Sequence, residues 1–167
     1  GIRIKMGNRG KIAFVTLDDG SKQQDVMIYA EVLDANKGKI TQDEVLIVEA
    51  KVSSDDYGGG GGGLRVIADK LLTLGEARGR YARLLTLRIN GAATSGGKAA
   101  VTRLLGLLSP YRGARDEGCC PIRVRYCNGA AEADLPLGDG WRVRLDDSLL
   151  ESLKEWLSSE CVEIVYQ

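Results

Sequence analysis

The sequence predicts a mostly β first half folded as a small five-stranded barrel, followed by a small α+β second half. Three observations carry that prediction. Short segments rich in branched and aromatic residues, separated by Gly, Asp and Asn turns, run as far as Leu72. The apolar period then changes from two to that of a helix, and the last third holds a strongly amphipathic stretch.

The chain opens on Gly1-Ile2-Arg3-Ile4-Lys5, which reads as the middle of a strand and suggests a piece of a longer protein. Ile2, Ile4 and Met6 alternate with Arg3 and Lys5, as one buried and one wet face would. Gly7 to Gly10 is a turn, and Lys11 to Leu17 a second strand. Asp18 to Ser21 turns the chain, and Gln24 to Ala30 runs back. A short helical stretch, Glu31 to Lys37, precedes strands at Glu44 to Val52 and Leu64 to Leu72. Three meandering strands, a helix and a closing hairpin are the order of an OB-fold, with SH3-like and other small barrels as competitors. The six glycines from Gly58 to Gly63 are a loop of that hairpin; a strand follows them, so no dinucleotide site is implied.

Residues 75–83 read as a charged helical connector, and residues 84–167 as an α+β domain with its own core. Leu85 to Ile89 is a strand and Ala92 to Gly97 a loop. Ala99 to Leu108 is a helix with Val101, Leu104, Leu105 and Leu108 on one stripe. Strands follow at Pro121 to Cys127, Ala133 to Leu137 and Trp141 to Leu145. Asp147 or Ser148 caps the last helix, Ser148 and Glu151 matching a capping box, and its apolar face is Leu149, Leu150, Leu153, Trp156 and Leu157. Cys161 to Tyr166 closes as a strand.

The 167 residues carry 44% hydrophobic and 28% charged side chains, ordinary for a soluble domain, and no apolar run approaches the roughly 18 residues of a membrane helix. No signal peptide opens the chain, so a cytoplasmic protein is expected. Without a single histidine, the commonest general base and metal ligand are missing, and Cys119, Cys120, Cys127 and Cys161 fit no zinc spacing. They read as free thiols in a reducing compartment. Asp18-Asp19 and Asp55-Asp56 flank turns, where Asp stabilises the backbone, and adjacent strand carboxylates point to opposite faces. Gly96-Gly97-Lys98 fails as a phosphate loop because Ala92 and Ala99 stand where Gly and Ser or Thr are needed. A binding module with no catalytic residue, metal or cofactor is the expectation.

Net charge is zero, yet the charges are segregated. Residues 1–11 hold four basic groups and no acid; from Arg78 to Arg125 ten basic residues face two acids; from Tyr126 onward three face nine. Such asymmetry suits separate surfaces for separate partners. Single-strand binding needs cations for phosphates and aromatic faces for stacking. Arg3, Lys5, Arg9 and Lys11 supply the first, and Phe14, Tyr29 and Tyr57 the second, although each aromatic also fits a core position.

Met6-Gly-Asn-Arg-Gly-Lys-Ile-Ala-Phe-Val-Thr-Leu-Asp-Asp-Gly20 with Asp25-Val-Met-Ile-Tyr29 resembles the OB domain of the bacterial DNA polymerase III alpha subunit. So does Leu46 to Ser53 with Asp55-Asp56-Tyr57, and Glu76 to Arg83 resembles the connector beyond that domain. Trp141-Arg142-Val143 and Val162-Glu-Ile164-Val-Tyr166 resemble the subunit's C-terminal region. The resemblance implies a non-catalytic part of the replicative polymerase, whose OB domain contacts single-stranded template. It implies a C-terminal domain that docks the clamp-loader tau subunit, with Trp141, Arg142, Trp156, Val162, Ile164 and Tyr166 as partner-binding candidates. It also implies a weak sliding-clamp contact at the last residues, where Cys161 stands in place of the usual leading Gln. A pure protein scaffold is the rival expectation, since OB-folds also bind proteins.

Overall fold

The structure, a computed structural model, describes residues 1–7, 10–55, 63–91 and 97–166. Its contacts divide the chain into two compact units, Gly1–Leu74 and Gly75–Gln167.

The first unit runs β1 (Ile2–Gly7), β2 (Gly10–Asp18), β3 (Gln23–Tyr29), α1 (Ala30–Ala35), β4 (Ile47–Asp55) and β5 (Gly63–Leu72). The spatial order is β1-β2-β3-β5-β4, antiparallel except for the parallel pair β3–β5, which is the OB-fold order. Register explains the core: Ala13 faces Ile28 and Val15 faces Val26, so the same parity of β2 and β3 turns inward. Ala68, Leu71 and Leu33 complete the cluster.

The first strand departs from expectation. Ile2, Ile4 and Met6 are 43%, 60% and 77% exposed instead of buried. They do share the inward face of Val15 and Ala13, so the alternation itself holds. What is missing is cover: β1 and β4 are the ends of the sheet order, unpaired with each other among the described residues. Val52, inward on β4, is left exposed for the same reason. The six-glycine stretch up to Gly62, Asp56 and the centre of the first turn lie outside the described residues.

At the β2–β3 turn the two carboxylates serve the backbone, as turn chemistry requires. Asp18 Oδ1 accepts the Gly20 N–H at 2.8 Å, and Asp19 Oδ1 accepts the Ser21 and Lys22 N–H groups, each at 2.8 Å. The Lys22 amide, the Ser21 hydroxyl and the Ser21 amide hold the Asp19 carboxyl down to about 2. A depressed carboxyl contributes stability above its unfolded value and loses it as pH falls through the folded one. Protection of the Ser21 and Lys22 amides, taken against the intrinsic exchange rate at each pH, is therefore expected to fall between about pH 4 and pH 2, and to be lower already at neutral pH in Asp19→Ala.

In the second unit, α2 (Leu74–Tyr81) leads into β6 (Ala82–Asn90), α3 (Lys98–Leu108), β7 (Ile122–Cys127), β8 (Glu132–Pro136), α4 (Asp147–Leu157) and β9 (Val162–Tyr166). The sheet order is β8-β7-β6-β9. β6 and β7 are parallel because α3 carries the chain back over the sheet, and the outer pairs are antiparallel. Leu85, Leu87, Ile122 and Val124 meet Leu104, Leu108, Leu149 and Leu153 in one core.

Three local expectations are corrected here. Val101 and Leu105 are 56% and 36% exposed, and Leu107 packs instead, so the buried seam of α3 is Leu104, Leu107 and Leu108. Trp141 to Leu145 is no strand: a 3₁₀ turn covers Asp139–Trp141, and Val143 makes single bridges to Arg112 and Cys120. Its N–H and C=O are satisfied by the Cys120 backbone at 2.9 and 2.8 Å without a continuing ladder. The cap of α4 is Asp146, whose carboxylate accepts the Ser148 N–H, so Ser148 lies inside the helix and no capping box forms with Glu151. All four cysteines are free; burial pushes the Cys120 thiol up to about 11, which keeps it protonated at neutral pH. No described helix is long and apolar enough to cross a membrane.

Candidate nucleic-acid interface

The outward face of the first sheet holds the chemistry. Direct partners run across all five strands in one row: Arg3 opposite Phe14, Phe14 opposite Met27, Met27 opposite Ile67, and Ile67 opposite Lys51. The row is cationic at both ends and aromatic or apolar between, about 19 Å across at sheet spacing. A second row, Lys5 opposite Ile12 and Ile12 opposite Tyr29, lies beside it. Phe14 and Tyr29 are thus diagonal neighbours on one face, within reach of the same ligand.

Phe14 is half-buried and Tyr29 exposed, and neither belongs to the core cluster. Lys5 Nζ stands 5.6 Å from the centre of the Phe14 ring, a cation over an aromatic face. Arg3 is already engaged: its Nη2 donates to Asp25 Oδ2 at 3.1 Å, and Thr16 Oγ1 donates to Asp25 Oδ1 at 2.6 Å. With both partners largely exposed, that ion pair is weak and exchangeable. Lys51 likewise pairs with Asp69 at 3.1 Å.

Among the sequence candidates, Arg3, Lys5, Phe14 and Tyr29 therefore come together. Lys11 does not: it lies opposite Met6, on the other face of β2, where its charge helps Lys37 hold the Asp34 carboxyl below the usual range. Arg9 and Tyr57 lie outside the described residues. Sequence reasoning missed Met27, Ile67 and Lys51; their strand parity was readable, but joining them to Phe14 needed the β3–β5 register. A hollow of about 870 Å³ opens beside the β2–β3 turn and is lined by Asp18, Asp19, Asp43 and Glu44, with Lys22 as the one cationic side chain among its described lining residues. Its charge repels phosphate, so it is no extension of the interface.

The partner candidates of the second unit are dispersed over it. Trp141 is half-buried against the core with the Arg112 guanidinium 4.3 Å from its ring centre. Trp156 is also half-buried, with Arg103 at 5.4 Å. Arg142 donates from Nε and Nη2 to Asp139 Oδ1 at 3.0 and 2.9 Å. Val162 and Ile164 face Leu87 and Leu85 in the core, and Tyr166 is exposed at the end of β9.

A meander closed by a parallel β3–β5 pair, with cations and aromatics on its outward face, is the architecture of the nucleic-acid-binding OB class. Residues 2–74 match the family described as OB-fold nucleic acid binding domain. Residues 103–157 match the family DNA polymerase III subunit alpha, C-terminal domain. The DNA polymerase III subunit alpha of Neisseria meningitidis serogroup B is 38% identical over 163 residues, 98% of this chain and 14% of that protein. Its namesake in Vibrio cholerae is 35% identical over 165 residues, 98% of the chain and 14% of the relative. That of Escherichia coli is 35% identical over 162 residues, 97% of the chain and 13% of the relative. The chain belongs to the DNA polymerase III alpha-subunit family and spans about 14% of the length of these relatives.

Proposed function

We propose that the first unit, residues 1–74, holds single-stranded DNA across the outward face of β1, β2 and β3, as a non-catalytic part of a replicative polymerase in the cytoplasm. The single observation that carries this reading is the cross-strand row from Arg3 through Phe14 to Lys51, with Lys5 and Tyr29 beside it. Bases stack on Phe14 and Tyr29 while Lys5, Arg3 and Lys51 meet phosphates. Arg9 and Tyr57, sequence candidates outside the described residues, belong to the same reading; Lys11, on the inward face of β2, does not. Residues 75–83, helical as far as Tyr81 and strand from Ala82, act as the connector. Residues 84–167 dock the clamp-loader tau subunit through the aromatic anchors Trp141, Trp156 and Tyr166, with Arg142, Val162 and Ile164 supporting them. A weak sliding-clamp contact at Val162 to Tyr166 is the lesser part of this reading.

The test is fluorescence anisotropy with labelled oligo-dT at two salt concentrations. Binding should weaken as salt rises, and Lys5→Glu should lower affinity and reduce the salt slope by about 1. Affinity indifferent to both salt and Lys5 would sink the DNA reading. For the second unit, a tau pull-down with Tyr166→Ala and Trp141→Ala is decisive, capture by both variants at the parent's level being the adverse result. A second reading, a protein-only scaffold, is favoured by the exposed Ile2, Ile4, Met6 and Val52 on the uncovered inward face. It predicts no oligonucleotide signal at any salt.

A further inference from the structure

Two of the three cations that the DNA reading assigns to phosphates are already held by carboxylates of the same sheet face. Arg3 Nη2 donates to Asp25 Oδ2 at 3.1 Å, and Lys51 Nζ donates to Asp69 Oδ1 at 3.1 Å. Arg3 and Lys51 are the two ends of the five-residue row; the third cation, Lys5, lies over the Phe14 ring instead.

The backbone places both carboxylates. Asp25 lies opposite Thr16 of β2, whose hydroxyl donates to Asp25 Oδ1 at 2.6 Å, so a donor meets each oxygen. On β5 the ladder to β4 slips between Glu49 and Ala50, whose partners are Lys70 and Ala68. Asp69 is therefore the unopposed residue of a bulge, a feature that re-aims a side chain, and it meets Lys51 of the neighbouring strand. β3 and β5 are parallel, with Met27 opposite Ile67. Asp25 comes two residues before Met27 and Asp69 two after Ile67, so the carboxylates flank the row on opposite sides.

We propose, on the basis of the DNA reading, that Asp25 and Asp69 are the residues that set the affinity of this face. Each occupies a row-end cation in the unliganded protein and yields it to a phosphate. A phosphate that takes Arg3 or Lys51 exchanges one anion for another, so part of the Coulomb gain is lost and fewer counterions are released per contact. Both pairs are well exposed, so the exchange is a brake on binding and no block to it. A strand that strays from the row meets a carboxylate on either side.

The test is oligo-dT anisotropy on the whole chain across a salt series. Asp25→Asn removes the charge and keeps an acceptor for Thr16. It and Asp69→Asn should each tighten binding about two- to fivefold at low salt and steepen the salt slope by up to about 1. Asp34→Asn removes the same charge from α1, where the partner is Lys37, and should bind like the parent. In the Arg3→Ala chain the gain from Asp25→Asn should shrink, since the cation it releases is gone. Gains no larger than that of Asp34→Asn, in a parent whose binding depends on salt and on Lys5, overturn this proposal and leave the DNA reading standing. An Asp25→Asn gain of equal size in the Arg3→Ala chain also overturns it, because plain repulsion of the strand would then suffice. Absence of binding by the parent and by both Asn variants at every salt concentration overturns both.

Discussion

Replacing Phe14 with alanine is expected to weaken oligo-dT binding by about 1–3 kcal/mol, roughly five- to 150-fold. The ring sits at the second position of the five-residue row, half-buried on the outward face, with Lys5 5.6 Å from its centre. A base stacked there loses its π-face in the variant, and Lys5 loses the ring that orients it toward the phosphate. Because Phe14 lies outside the core cluster of Ala13, Val15, Val26 and Ile28, the fold should survive the change. Retained thermal unfolding with lost binding is the expected pair of results. Adding Tyr29→Ala should cost less than the sum of the single changes if both rings serve one strand of DNA. Unchanged affinity in a folded Phe14→Ala chain would reduce the ring to a spacer between strands and remove the row's central argument.

Leu153→Ala is expected to destabilise the second unit by about 2–5 kcal/mol. Leu153 is wholly buried between α4 and the sheet, beside Leu149 and Leu87, where the surrounding side chains come from several elements and cannot all close on a void. Against a typical domain stability of about 5–15 kcal/mol, that is a large fraction. The measurement is convenient: both tryptophans, Trp141 and Trp156, lie in this unit, so fluorescence during urea unfolding reports on it alone. The midpoint should fall with the slope unchanged. Leu105→Ala, on the exposed side of α3, should shift the midpoint by less than about 0.5 kcal/mol equivalent. Comparable losses from the two leucines would mean that the seam of α3 and α4 is misassigned.

Much of this architecture was legible because its signals are local. Alternation in QDVMIY and KIAFVTL, the Asp-Asp-Gly-Ser turn and the Leu-rich last helix each depend on neighbours a few residues away. Lys5, Phe14 and Tyr29 were readable as candidates from residue type alone, a cation and two aromatics on short strands; that they share one face followed only from the β1–β2 and β2–β3 registers. Where local signals misled, a distant partner decided. Val143 spends its hydrogen bonds on Cys120, so a promising strand became a bridge. Asp146 took the cap from Ser148, although both residues suit the position.

The sequence by itself determined the strand order, the turns and the chemical character of each face, since side-chain period and turn preferences act within single segments. Only the tertiary structure decided which inward face is covered and which charges converge. Ile2 and Val15 share one parity, yet one is exposed and the other buried, because the strand that would cover β1 is a matter of sheet closure. Arg3 and Asp25 are 22 positions apart and Lys51 and Asp69 are 18 apart, and strand pairing with one bulge brings each pair together.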